Sequence, residues 1–191
     1  MPIPDESGRT PRPDPPMTAD ERTSLRGWLD YHRATLAWKC DGLDDEELRQ
    51  CSMPPSTLSL LGLVRHMAEV ERHWLRRVVG GETVRHVWSE EWDFQAAYDA
   101  SGCTREEAFT AWRAEVEQAR RVEAQVPSLD TTFDVPAWDG DVSLRTILLH
   151  LVHEYARHNG HADLLREGVD GTVGACRSCA ATCGRARWSS P

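Results

Sequence analysis

The sequence lacks the features of membrane, secreted and nucleic-acid-binding proteins. No apolar run approaches the roughly 20 residues that a transmembrane helix needs, and no basic stretch followed by an apolar one marks an export signal. Acidic residues outnumber basic ones, and the formal net charge is −9. This charge disfavours a nucleic-acid phosphate backbone as a partner. We therefore expect a soluble cytoplasmic protein.

Cysteine is also too sparse for a disulfide framework, with six residues scattered over 191. Such frameworks belong to short, exported, cysteine-dense chains, so we predict reduced thiols. The spacing Cys176-x2-Cys179-x3-Cys183 is a weak signal for zinc or a cluster, because no further cysteine pair lies nearby. Eight tryptophans suit a helical core with a wide pocket, although core packing alone would explain them.

The chain divides into three parts by composition. Residues 1–16 contain six prolines and are predicted to be a disordered extension. Residues 17–171 carry regular apolar spacing and have the length of one domain with a core. Residues 172–191 are small, polar and aperiodic, and are predicted to be a flexible tail that contains three of the cysteines.

Apolar spacing and capping signals predict four helices, at about 18–40, 58–79, 104–125 and 143–167. We therefore predict an all-α four-helix bundle with long links between helices. The link at 80–103 carries four aromatic residues and could be either a functional lid or a cover for one end of the bundle. No helix has an obvious second apolar face, and whether the protein forms a homodimer is left open.

The last helix has an unusual buried face. Its apolar residues recur at three- and four-residue spacing, but three successive positions are Glu154, His158 and His161. Burying a carboxylate costs several kcal/mol unless it is paired or bound to a cation. This face is therefore either a metal site or a set of hydrogen-bonded core residues in which Glu154 pairs with an arginine such as Arg157.

Glu154 and His158 lie four residues apart on one helical face, so both can reach the same ion. The third ligand must come from elsewhere, and His66 near the middle of the second helix, His161 and His73 are the alternatives. Two histidines and one carboxylate leave a fourth position open, which is typical of catalytic zinc. Nickel, iron or manganese could occupy the same ligands.

Several stretches together resemble a known family. These are TLAWKCDGLDDEELR, PPSTLSLLGLVRHMAEVERHW, AWRAEVEQAR and EYARHNGHADLLREGVDG. They resemble the DinB/YfiT-like superfamily of metal-binding four-helix bundles, and most of all its actinobacterial mycothiol S-transferase-like branch. The resemblance implies one histidine ligand from the second helix and a Glu-x3-His pair on the last helix. Carried over to this sequence, the ligands are His66, Glu154 and His158.

The resemblance also implies a function. We expect a metal-dependent thiol S-transferase, with zinc as the first choice of metal, that activates a low-molecular-weight thiol such as mycothiol for attack on a small electrophile. Glu154 would keep the bound sulfur reactive by partly neutralising the ion. His161 and His32 would orient water or substrate, and Arg157 would anchor an anionic substrate unless it forms a surface ion pair. The alternatives are a metal-dependent hydrolase that activates water and a non-catalytic bundle that binds a metal or small ligand.

Overall fold

A computed structural model describes residues 12–89 and 93–174. The described part contains six α-helices and one two-stranded antiparallel sheet, which confirms the predicted all-α class. The helices are α1 (Glu21–Lys39), α2 (Asp45–Arg49), α3 (Leu60–Glu71), α4 (Phe94–Tyr98), α5 (Arg105–Gln125) and α6 (Leu144–Asp170). The strands are β1 (Thr132–Val135) and β2 (Gly140–Ser143), joined through a short 3-10 helix at Pro136–Trp138. Within the described part, no helix is long and apolar enough to cross a membrane.

The four long helices match the predicted ones, and the differences lie at their ends. The side chain of Asp20 caps α1 by accepting a hydrogen bond from the Thr23 amide, so the helix begins about three residues later than predicted. Thr104 forms a capping box at the start of α5. The last helix continues to Asp170 and ends at Gly171, whose φ of 73° suits glycine.

Two features of the backbone were not predicted from the sequence. The helix that contains α3 continues as a π-helix over Arg72–Val79, and π-helical turns occur often at functional sites. The link between α5 and α6, expected to be irregular, contains the β1–β2 hairpin.

Contacts between side chains define how the helices run. Arg145 pairs with Glu21 near the start of α6 and α1, and the Arg166 guanidinium donates to the Lys39 carbonyl near their ends at 3.0 Å. These two helices are therefore parallel. By contrast, α3 and α6 are antiparallel. Glu71 at the end of α3 contacts Tyr155, whereas His66, earlier in α3, contacts His158 farther along α6.

A buried polar network joins all four long helices. The Arg33 guanidinium donates two hydrogen bonds of 2.8 Å to the Glu71 carboxylate. The Tyr155 hydroxyl donates to the same carboxylate at 2.7 Å and accepts from the Trp112 indole at 2.8 Å. Burial raises the pKa of Tyr155 well above its usual value, so its hydroxyl keeps the proton that it donates. This network links α1, α3, α5 and α6 at a single level of the bundle.

The end of the predicted N-terminal extension packs against α1. Residues 12–16 have no regular secondary structure, but Pro15 is buried and the Arg12 guanidinium lies over the rings of Tyr31 and Trp38, 5.1 and 5.0 Å from their centroids. Prolines that cannot join a helix can still bury their rings, as Pro15 does here. Residues 1–11 and 175–191 lie outside the described residues, and so do the three cysteines of the predicted tail. The limits of the extension and of the tail stay predictions.

Candidate metal centre

Three ionisable side chains from two helices meet in the bundle. Ligand atoms of His66 on α3 and of Glu154 and His158 on α6 all lie within 4.8 Å of one another. His158 Nε2 is 3.4 Å from Glu154 Oε2, and the centroids of the two imidazole rings are 4.7 Å apart. Both histidines are buried, while Glu154 is half-buried. The structure therefore brings together the three residues that the resemblance implied.

Local sequence explains how these groups meet. Glu154 and His158 share one face of α6 because they are four residues apart. His66 reaches them because α3 crosses α6 in the opposite direction. One turn before His66 is Gly62, where an added Cβ would overlap the carbonyl oxygen of Tyr98. Glycine thus lets α4 approach α3, and the Tyr98 ring stacks on the His66 ring at 4.3 Å with an interplanar angle of 16°.

The protonation states of His66 and Glu154 suit the binding of a cation. Burial lowers the pKa of His66 to about 3, and the nearby His158 lowers it further in the same direction. The hydrogen bond with His158 is the main cause that lowers the pKa of Glu154 to about 2. At neutral pH the His66 imidazole is therefore neutral and the Glu154 carboxylate is ionised, which are the forms that bind metals. The donor set of two imidazole nitrogens and one carboxylate oxygen matches that of catalytic zinc.

His161 lies beside the three residues on the next turn of α6. Its Nδ1 atom is 3.3 Å from Nδ1 of His158, so one of the two nitrogens donates to the other. The other nitrogen of His158, Nε2, is the one that faces Glu154. Partners of this kind commonly fix the orientation of a ligating imidazole. The position of His161 thus fits the predicted supporting role, which stays a prediction.

The three residues line one side of a cavity of about 510 Å³. Another side is aromatic, since the rings of Trp74, Trp138 and His150 have centroids 4.5 to 4.8 Å apart. Trp138 belongs to the hairpin and is 41% exposed. Arg157 also lines the cavity, is exposed, and forms no salt bridge with any described residue. The cavity therefore combines a polar side, an aromatic wall and the positively charged guanidinium of Arg157.

Comparisons with known proteins give the family and the fold of the chain. A family model described as mycothiol-S-transferase matches residues 24–171. The chain belongs to this family. The assignment confirms the DinB/YfiT-like resemblance. A crystal structure of a conserved protein from Enterococcus faecalis is similar in fold, with a TM-score of 0.59 and 14% identity over 81% of this chain and 100% of that one. At this identity the likeness shows the fold alone. A comparison with curated proteins finds no match.

Two histidines that the sequence suggested for the site, His32 and His73, lie outside the group of three ligand candidates. His32 does not line the cavity, because α1 packs against the side of α6 that carries Asn159. The Asn159 amide donates to the His32 carbonyl at 3.0 Å, and the imidazole lies beside Trp28 and Tyr31. His73 does line the cavity but is outside the three-residue group.

The link that follows the π-helix is anchored by Glu69, a residue to which the sequence pattern assigns no role. Glu69 is 2% exposed and accepts hydrogen bonds from the amides of Val87 and Trp88, at 2.7 and 3.3 Å, and from His86 Nδ1 at 2.8 Å. A carboxylate beside the apolar face of the helix was the available signal, although Arg65 and Arg72 lie four residues before it and three residues after it. The link thus brings α4 and Tyr98 to the cavity, and part of it covers the candidate centre.

Proposed function

We propose that this protein is a metal-dependent S-transferase that joins a low-molecular-weight thiol, with mycothiol as the first choice, to a small electrophile. The observation that carries the proposal is the set of His66, Glu154 and His158 ligand atoms within 4.8 Å of one another in the wall of a cavity of about 510 Å³. Membership of the mycothiol-S-transferase family supports the choice of thiol.

The three side chains would hold one divalent cation, with zinc as the first choice. Nickel, iron and manganese suit the same donors. When bound, the cation supplies positive charge beside a thiol sulfur and so favours the thiolate, which is the nucleophilic form. With three protein ligands, one coordination position would remain for the sulfur, as in catalytic zinc sites and unlike structural ones.

The protein side chains position the reactants. The Tyr98 ring keeps the His66 imidazole in its plane by stacking, and His161 keeps His158 turned towards Glu154. The negative charge of Glu154 reduces the net charge that the thiolate meets, so the sulfur remains reactive. Trp74 and Trp138 exclude water from one side and would contact the apolar part of the electrophile.

The proposed reaction balances without an oxidant or reductant. The thiol releases its proton to solvent water, and its sulfur forms a bond to a carbon atom of the electrophile. The leaving group departs from that carbon with the bonding electron pair. Arg157 would pair with an anionic group on either substrate, because its guanidinium lies at the cavity without a carboxylate partner in the described part of the chain.

Metal removal tests the proposal directly. We expect the purified chain to consume a fluorogenic haloalkyl bimane only when both mycothiol and bound metal are present. Dialysis against a chelator should reduce the rate to the uncatalysed level, and zinc should restore it. Glutathione and cysteine in place of mycothiol test the choice of thiol. Ester or amide cleavage without a thiol would instead favour the hydrolase, and bound metal without turnover would favour the non-catalytic bundle.

The aromatic wall gives a second prediction. Replacement of Trp138 by alanine should raise the KM for an aromatic electrophile about tenfold, which corresponds to roughly 1.4 kcal/mol of lost contact. The value of kcat should change little, because Trp138 is not among the ligand candidates. The measurement is steady-state kinetics at saturating thiol.

Trp28→Ala is the matched control, since Trp28 is 44% exposed, close to the 41% of Trp138, and does not line the cavity. An equal rise in KM for both variants would contradict a role of the hairpin in substrate binding.

A further inference from the structure

A second group of donor side chains lies next to the candidate metal centre. Ligand atoms of His150, His153 and Glu154 are also all within 4.8 Å of one another. The three residues occupy positions i, i+3 and i+4 of α6, so their side chains converge on one patch of the helix. Glu154 belongs to both groups. From the sequence, His150 and His153 are the less favoured ligand candidates, because His153 lies off the buried face of the helix.

The surroundings of the second group hold one imidazole in place. The His150 ring packs against the rings of Trp74 and Trp138, with centroid distances of 4.8 Å to each. This packing restricts the His150 side chain before any ligand binds, which reduces the entropy cost of binding. His153 is exposed and completes the group from the solvent side. An ion held here would lie partly within the cavity, because His150 and Glu154 both line it.

Glu154 can serve both groups because a carboxylate has two oxygens, each able to act as an acceptor. Its Oε2 atom is the one that lies 3.4 Å from His158. Paired-metal sites in other proteins hold their ions roughly 3.5–4 Å apart, so two ions beside one carboxylate are physically reasonable. Repulsion between the two cations and the exposure of His153 make the second site the weaker one.

We propose that His150, His153 and Glu154 form a second, weaker binding site for a divalent transition-metal cation, which shares Glu154 with the first. The proposal rests on the proposed function only through that shared carboxylate. Two imidazoles and one carboxylate select zinc, cobalt, nickel or copper over magnesium or calcium, which prefer oxygen ligands. The ion would enter from the solvent side, where His153 is exposed.

A cobalt(II) titration of the untagged, metal-free chain tests this site. The titration uses a background in which Cys176, Cys179 and Cys183 are replaced by serine, so that ions bound by thiols are not counted. We expect two ions per chain, the first bound at least tenfold more tightly than the second. In His153→Ala we expect one ion with the affinity of the first site within about twofold. In His66→Ala we expect the tight site to be lost and the weak one to remain.

The outcomes separate this inference from the proposed function. One ion in the parent chain that is lost in His66→Ala and unchanged in His153→Ala would overturn the second site and support the first. Loss of an ion in His153→Ala without any change in His66→Ala would support the second site and contradict the first. Titration with magnesium is the selectivity control, and magnesium binding that His153→Ala abolishes would contradict the proposed donor chemistry.

Discussion

Replacement of His66 by alanine is expected to abolish tight metal binding and to lower the rate of thiol transfer by more than about 100-fold. Loss of a residue that merely supports a metal ligand typically costs 10- to 100-fold, so loss of a ligand should cost more. His66 is the only one of the three candidates that α3 contributes. Without it, Glu154 and His158 would have to hold the ion from a single helix. Metal content per chain and kcat/KM with mycothiol are the two measurements.

His73→Ala is the matched control for this variant. His73 lies seven residues later in the same continuous helix and lines the same cavity, but is outside the three-residue group. We expect it to keep full metal content, with circular dichroism verifying that both variants fold. Full metal content in His66→Ala, or equal loss in both variants, would refute the assignment of His66 as a ligand.

Replacement of Glu71 by glutamine is expected to lower the free energy of unfolding by about 3–5 kcal/mol, the usual cost of breaking a buried ion pair from one side. Glu71 is 0% exposed and Arg33 is 5% exposed, so the buried guanidinium would keep only the partly exposed carboxylate of Asp30 as an ionic partner. The Tyr155 hydroxyl would also lose its charged acceptor. Urea unfolding followed by tryptophan fluorescence measures the change.

Two further variants show whether the burial of the pair causes the effect. Glu117→Gln breaks an exposed pair with Arg121, whose partners have side chains 53% and 61% exposed, and should cost less than about 1 kcal/mol. Arg33→Met combined with Glu71→Leu removes both charges and should recover much of the lost stability. A similar small loss for Glu71→Gln and Glu117→Gln would contradict this account of the network.

The network also has a consequence for the candidate centre. Tyr155 directly follows Glu154 in α6, and Glu71 lies five residues after His66 in the helix that faces it. The hydrogen bond between Tyr155 and Glu71 therefore holds α3 and α6 in register close to the three ligand candidates. A weakened network should loosen metal binding even though none of its members contacts the cavity.

The residues of the candidate centre could be found from the sequence because the signal is local. Glu154 and His158 are four residues apart on a face that is otherwise apolar, and helical periodicity places them together before any packing is known. The choice of His66 over His73 or His161 as third ligand came from the family resemblance. The structure places the His66 side chain at the pair because α3 and α6 are antiparallel.

Other parts of the site could not be predicted from the sequence, because they depend on contacts between residues that are far apart along the chain. The sequence predicts that His32 orients water or substrate, but α1 packs beside Asn159 and His32 does not line the cavity. Tyr98 gave no pattern that pointed to His66, because their stacking depends on the close approach that Gly62 permits. The aromatic wall joins Trp74 of the π-helix to Trp138 of the hairpin, two backbone features that apolar periodicity does not encode.

The sequence by itself determined the four long helices, the all-α class and two ligand candidates on α6. These follow from spacing of 3.6 residues per turn and from capping residues, which act within a few positions of the chain. Only the tertiary structure decided which faces meet, where the cavity lies and that Glu154 belongs to two donor groups at once. The physical reason is that helix packing and hydrogen bonds between distant residues, such as Arg33 with Glu71, depend on the whole fold rather than on local spacing.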